Sequence, residues 1–263
     1  TAPGRSSGSS RSGFTSLLAA EAIKLKRSSA WVVAVLLPLL AVFAGTFNFY
    51  ANREVFSQTW ESLTSQMTVF YSMFFCSLGV ALLTSTVWRV EHRGTSWNAM
   101  RTTPHSPIAV ALAKTLVIFV PVLAMQVVFM VLAWISGTFI MGLGPAMPLV
   151  FIVADLLAIV GALPLIAVQS LLRMLMRSFA APVAVAFVGC VIATGLEASQ
   201  SPLAYGVPQG ILSMTLLLGS SAMSTAGKLD AASILPLLAA IVGLGAVLWG
   251  LLALVARRTG GVR

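Results

Sequence analysis

The side chains able to do chemistry are few and gathered in one place. Between two long apolar runs, residues 89–114 hold Arg89, Glu91, Arg93, Arg101, Lys114 and both histidines, in a chain with only 9 % charged residues. No catalytic constellation matches: HExxH, clustered Cys and His, GxSxG and paired intramembrane carboxylates are all missing from the sequence. What the segment offers is a binding surface. Gly94 to Arg101 can form two helical turns, stopped by Pro104 and Pro107, with Trp97 and Met100 three apart on neighbouring positions. Those two make an apolar knob with Glu91, Arg93 and Arg101 as its rim, the anatomy of a small protein interface. On residue chemistry alone, Trp97 as an anchor at lipid headgroups fits equally well.

Two other features are weaker candidates. Residues 222–229 (AMSTAGKL) approach a phosphate loop, but Ala222 replaces its first glycine and Leu229 its magnesium-binding hydroxyl, so no ATP hydrolysis is expected from this chain. Asp155 lies inside an apolar run, where a carboxylate is expensive and marks a possible intramembrane polar site. It stands about two turns, roughly 9 Å, from the outer end of its helix at a 1.5 Å rise per residue, which predicts a bundle-facing side chain or one reaching interfacial water. Cys76 and Cys190 sit in apolar runs, where a thiol acts as a small hydrophobe, so neither a disulfide nor a metal site is expected.

The elements that hold these residues follow from composition. With 58 % hydrophobic residues and a mean hydropathy of +0.97, the chain falls outside the range of soluble domains. Because a helix needs about 20 apolar residues to cross a bilayer, we read six transmembrane helices at Trp31–Tyr50, Met67–Trp88, Leu116–Ile135, Leu149–Leu171, Phe179–Leu196 and Ile234–Ala256. The fold class is therefore all-α membrane protein. Fourteen of the sixteen lysines and arginines fall on the side of both termini and of the 89–114 loop, leaving only Arg53 and Lys228 opposite. That bias predicts a multi-pass plasma-membrane protein with both termini and the loop on the cytoplasmic side. It also explains the net charge of +9 without nucleic acid.

Outside the spans, residues 1–13 are Ser-, Gly- and Arg-rich and are expected to be a disordered tail, with no signal-peptide pattern. Over 14–28, Phe14, Leu18, Ala22 and Leu25 recur at helical spacing and Lys24, Lys26 and Arg27 follow, which predicts an amphipathic interfacial helix whose cations meet anionic lipid. The six-helix transmembrane domain proper runs over 29–263. Its long outer loop, 197–233, contains the apolar stretch 208–219, too short to cross, which reads as a re-entrant or interfacial helix or as a plain amphipathic surface helix.

Glu21 with Lys24, Leu25, Lys26, Arg27 and Ser28, followed by Trp31 and Pro38, resembles the start of ABC-2-type transporter permeases, closest to the lantibiotic and bacitracin self-protection exporters. Glu91, Gly94, Trp97, Pro104 and Lys114 resemble the cytoplasmic loop of that group. The resemblance implies a dimerising permease, with a second chain the same or related, that binds two copies of a separate cytoplasmic ATPase subunit. ATP and magnesium would be held by that subunit and no cofactor by this chain. It also implies that the 89–114 loop carries the coupling helix, with Glu91, Arg93, Trp97, Met100 and Arg101 as motor contacts. Glu21, Lys24, Lys26 and Arg27 would belong to the amphipathic helix that leads into the first span. Export of an amphipathic or hydrophobic substrate such as a peptide antibiotic, drug or lipid, and thus resistance or immunity, is the expected role. A proton-coupled carrier using Asp155 and a non-transporting scaffold or sensor are the alternatives.

Overall fold

The computed structural model describes residues 9–89, 106–222 and 226–261. Among them every regular element is helical: α1 (Ser9–Lys26), α2 (Ala30–Ala51), α3 (Trp60–Phe70), α4 (Cys76–Trp88), α5 (Pro107–Ile135), α6 (Leu149–Gly161), α7 (Leu163–Leu175), α8 (Ala180–Ala198), α9 (Pro208–Leu216) and α10 (Ala231–Gly261). A π-helical turn, Tyr71–Phe75, joins α3 to α4, and a second, Ser136–Ile140, extends α5. Six helices are long and apolar enough to cross a membrane: Ala30–Ala51, Trp60–Trp88, Ile108–Ile140, Leu149–Leu175, Ala180–Ala198 and Ala231–Arg258.

The spans thus lie where the apolar runs put them, and the differences are at their ends. The second starts at Trp60 rather than Met67 because Thr59 caps it, its hydroxyl accepting from the Ser62 amide, and Thr64, Ser65 and Thr68 turn inward. The third starts at Pro107 rather than Leu116. Ser106 accepts from the Ala109 amide at 3.2 Å while Pro107 takes the first helical position, a strong start signal. Lys114, expected in a loop, is therefore two turns inside a helix. In α1 the helix begins at Ser9, ahead of Phe14, and Glu21 turns inward together with Leu25, with Ala22 exposed.

The second span is the centre of the bundle. Helix α2 packs along α3 and α5, while α4 packs on α7, α8 and α5. Contact of α2 with α3 depends on Gly45, where a Cβ would stand 2.4 Å from the Met67 Cα, so any larger residue separates the helices. Around it runs one apolar core from Leu25 through Phe49, Leu63, Met125, Phe129 and Leu165 to Ala256. Helix α9 packs against α6, α8 and α10. Gln209, Gly210, Ile211, Leu212, Ser213, Thr215 and Leu216 are buried, which covers all its faces, so it is an inserted core element and not an amphipathic surface helix.

Candidate functional site

One end of the bundle gathers the basic side chains. There Glu21, 4 % exposed, accepts from Lys114 Nζ through Oε2 at 2.7 Å and from Lys24 Nζ through Oε1 at 2.7 Å. Lys114 is fully buried, and its ammonium also stands 5.7 Å from the centre of the Trp88 ring. The Trp88 indole in turn donates to Ser170 Oγ at 3.3 Å. Below that pair Arg173, in the last turn of α7, donates to the carbonyls of Met176 and Ser178, which serves a helix end where carbonyls lack partners. Arg89 is exposed and stands 5.7 Å from the Phe179 ring.

The electrostatics of Glu21 follow from this geometry. Burial by itself pushes its carboxyl upward, yet the Lys114 ammonium, with its hydrogen bond, and Lys24 outweigh that and hold it below the ordinary value. A buried carboxylate and a buried ammonium that satisfy each other fix the relative position of α1 and α5, since either alone would be an uncompensated charge. Of the cations expected to face lipid, Lys24 instead completes the pair, while Lys26 and Arg27 are exposed.

The site as a whole brackets a segment. Trp88 and Arg89 end the helix before residues 90–105, and Lys114 lies two turns into the helix after them. Glu91, Arg93, Trp97, Met100 and Arg101, expected as motor contacts, lie outside the described residues. What the structure adds is the clamp on both flanks of that segment, which joins α1, α4, α5 and α7. Sequence reading placed Glu21 and Lys114 in separate elements 93 residues apart; the Ser106–Pro107 start signal was the one cue that Lys114 is helical.

Asp155 lies elsewhere, in the middle of the bundle. Its side chain is 1 % exposed and, among the described residues, neither carboxylate oxygen has a hydrogen-bond partner. It is close enough to Tyr71 and Cys76 for electrostatic interaction. Tyr71 opens the π-helical turn, donates its hydroxyl to Gln126 Oε1 and stacks on Phe129 with ring centres 3.9 Å apart. Asp155 thus faces the bundle and does not reach interfacial water.

Comparison with known families settles what this architecture belongs to. Residues 17–193, more than half the chain, match the model of the ABC-2 family transporter protein. The chain belongs to the ABC-2 transporter family. Neither a curated protein nor a solved structure matches it. As an ABC-2 permease it is the transmembrane component of a transport system, and the family implies an ATPase partner. The matched region contains the whole Glu21–Lys114 clamp and Asp155. It ends inside α8, so α9 and α10 of this permease lie beyond it.

Proposed function

We propose that this permease is the membrane subunit of an ATP-driven exporter whose motor docks on the segment 90–105. The observation that supports this reading is the clamp of Glu21, Lys114 and Trp88 on both flanks of that segment. A lever must be fixed to what it moves. Buried in a charge pair rather than in an apolar contact, α1 and α5 keep one register, so a push on the segment is delivered to α4 and α5 as rigid bodies. Trp97 and Met100 are the contact knob, with Glu91, Arg93 and Arg101 as its rim. Two permease chains and two motor subunits complete the exporter, with the basic end in the cytoplasm. Amphipathic or hydrophobic molecules, among them peptide antibiotics, are the substrate class.

Purification of the native complex in mild detergent followed by mass spectrometry tests this first. A soluble subunit with phosphate-loop motifs, at one copy per permease, is the expected companion, and its absence from folded permease overturns the reading. Trp97→Ala with Met100→Ala then places the contact: substrate-stimulated ATPase activity is lost while the fold is retained, whereas unchanged stimulation and motor binding reject these residues.

A second reading, a proton-coupled carrier, gains from the unpartnered carboxylate of Asp155 in the core. Asp155→Asn separates the two, since it abolishes proton-driven transport and leaves ATP-driven transport largely intact.

A further inference from the structure

The opposite end of the bundle collects Glu61, Glu197 and Asp230. There a cavity of about 450 Å³ lies between the end of α8, the 3₁₀ turn Pro202–Gly206, the end of α9 and the start of α10. Its volume is in the range of small-molecule sites. Buried Leu217, Leu218 and Leu237 make an apolar floor. Gln200, Pro202 and Ala232 at the mouth are exposed. Among the described residues that line it, only one carries a carboxylate and none carries a cation.

That residue is Glu197, 8 % exposed. Its Oε2 accepts from Ser213 Oγ at 2.9 Å, while Oε1 has no hydrogen-bond partner among the described residues. A carboxylate this buried is costly unless something compensates it, and Ser213 compensates half. The turn that follows it is also held under strain. The Ser201 amide donates to the Leu196 carbonyl and the Gln200 amide to the Glu197 carbonyl, a Schellman end whose left-handed position is occupied by Gln200 at φ 54° and not by glycine. Backbone strain of this kind is kept where surroundings over-determine it, commonly beside binding sites.

The geometry points to this cavity as a binding site for a small organic cation, its apolar part against Leu217, Leu218 and Leu237, its charge beside Glu197 and the Tyr205 ring. A neutral apolar molecule leaves Glu197 uncompensated and an anion is repelled by it; a cation with an alkyl body satisfies both walls. A role for the site in export rests on the permease reading, but the binding does not, and is measured without any motor subunit.

Tetrapropylammonium titrated into the full chain in nanodiscs, read by calorimetry, is the test. Saturable binding is expected, weakened at least about tenfold by Glu197→Gln, which is isosteric and keeps an acceptor for Ser213. Glu61→Gln, in the neighbouring cavity, leaves it unchanged. Ala232→Trp, at the exposed mouth, abolishes it without touching the core, and decides the matter if Glu197→Gln fails to fold. Equal affinity in Glu197→Gln, undiminished binding in Ala232→Trp, or no saturable binding to the folded wild type overturns the proposal. Any of these leaves the permease reading standing, because that is tested by the motor subunit alone.

Discussion

Three buried carboxylates divide the molecule by how completely they are satisfied. Glu21, at the basic end, has an ammonium on each oxygen. Glu197, at the acidic end, has a hydroxyl on one. Asp155, between them, has no hydrogen bond on either among the described residues. Equal burial therefore means unequal things. The fully paired group is part of what fixes the fold, because charge and counter-charge are buried together. The unpaired one contributes nothing to folding by hydrogen bonding, so its persistence in a bilayer core calls for another reason. The difference predicts opposite responses to removing each group.

The largest effect falls on the paired end. Lys114→Met leaves Glu21 buried beside Lys24 alone, a loss of about 3–5 kcal/mol for one partner of a buried pair. Glu21→Met with Lys114→Met removes both charges and regains most of that loss. Reversible unfolding in detergent measures both, and a double variant no better than the single would show that the pair is not the clamp described. Lys24, with its side chain 43 % exposed, adds little, since water already solvates it.

That clamp was the part of the site least legible in the sequence. Crossing helices announce themselves locally, because each apolar residue of Leu149–Leu175 helps meet the length a bilayer demands. A charge pair between α1 and α5 has no local signature. Lys114 reads as the end of a polar loop until Ser106 and Pro107 are recognised as a helix start. Glu21 likewise reads as one more charge on an interfacial helix, whereas it turns inward together with Leu25. The polar starts of the second and third spans were missed for the same reason: apolar averaging discards Thr64, Ser65 and Lys114, which the fold buries by giving them partners. Asp155 was visible as an oddity, but its depth depends on neighbouring helices and not on its distance from a helix end.

Acid sharpens the comparison next. The carboxyl of Glu21 is held below its ordinary value of 4.5, so its contribution is complete above that pH and is lost as pH falls through the lower folded value. Wild type therefore loses more stability than the Glu21→Met, Lys114→Met double variant below about pH 4.5. Asp230 is also held low, chiefly by the Ser233 backbone and side chain, but it is present in both proteins and cancels. Parallel acid slopes would contradict the pairing.

Glu197 predicts an intermediate response. Ser213→Ala deprives it of its one hydrogen bond among the described residues and costs about 1–3 kcal/mol, the penalty of a buried acceptor left bare. Organic cation at saturating concentration restores part of this loss, because the ligand stabilises the folded state that binds it. A variant as stable as wild type without ligand would mean that Glu197 has another partner.

The smallest effect is expected at Asp155. Replacement by Asn keeps the shape and a polar side chain, removes no hydrogen bond to the described residues, and ends the cost of a carboxyl buried beside Tyr71 and Cys76. The unfolding free energy should therefore stay within about 1 kcal/mol of wild type or rise. A loss of about 3 kcal/mol or more would place Asp155 with Glu21 among the groups that hold the bundle together. Unchanged stability together with lost transport would instead separate folding from function at this one residue. An orphan carboxylate that the fold does not need is then kept for what it does during the transport cycle.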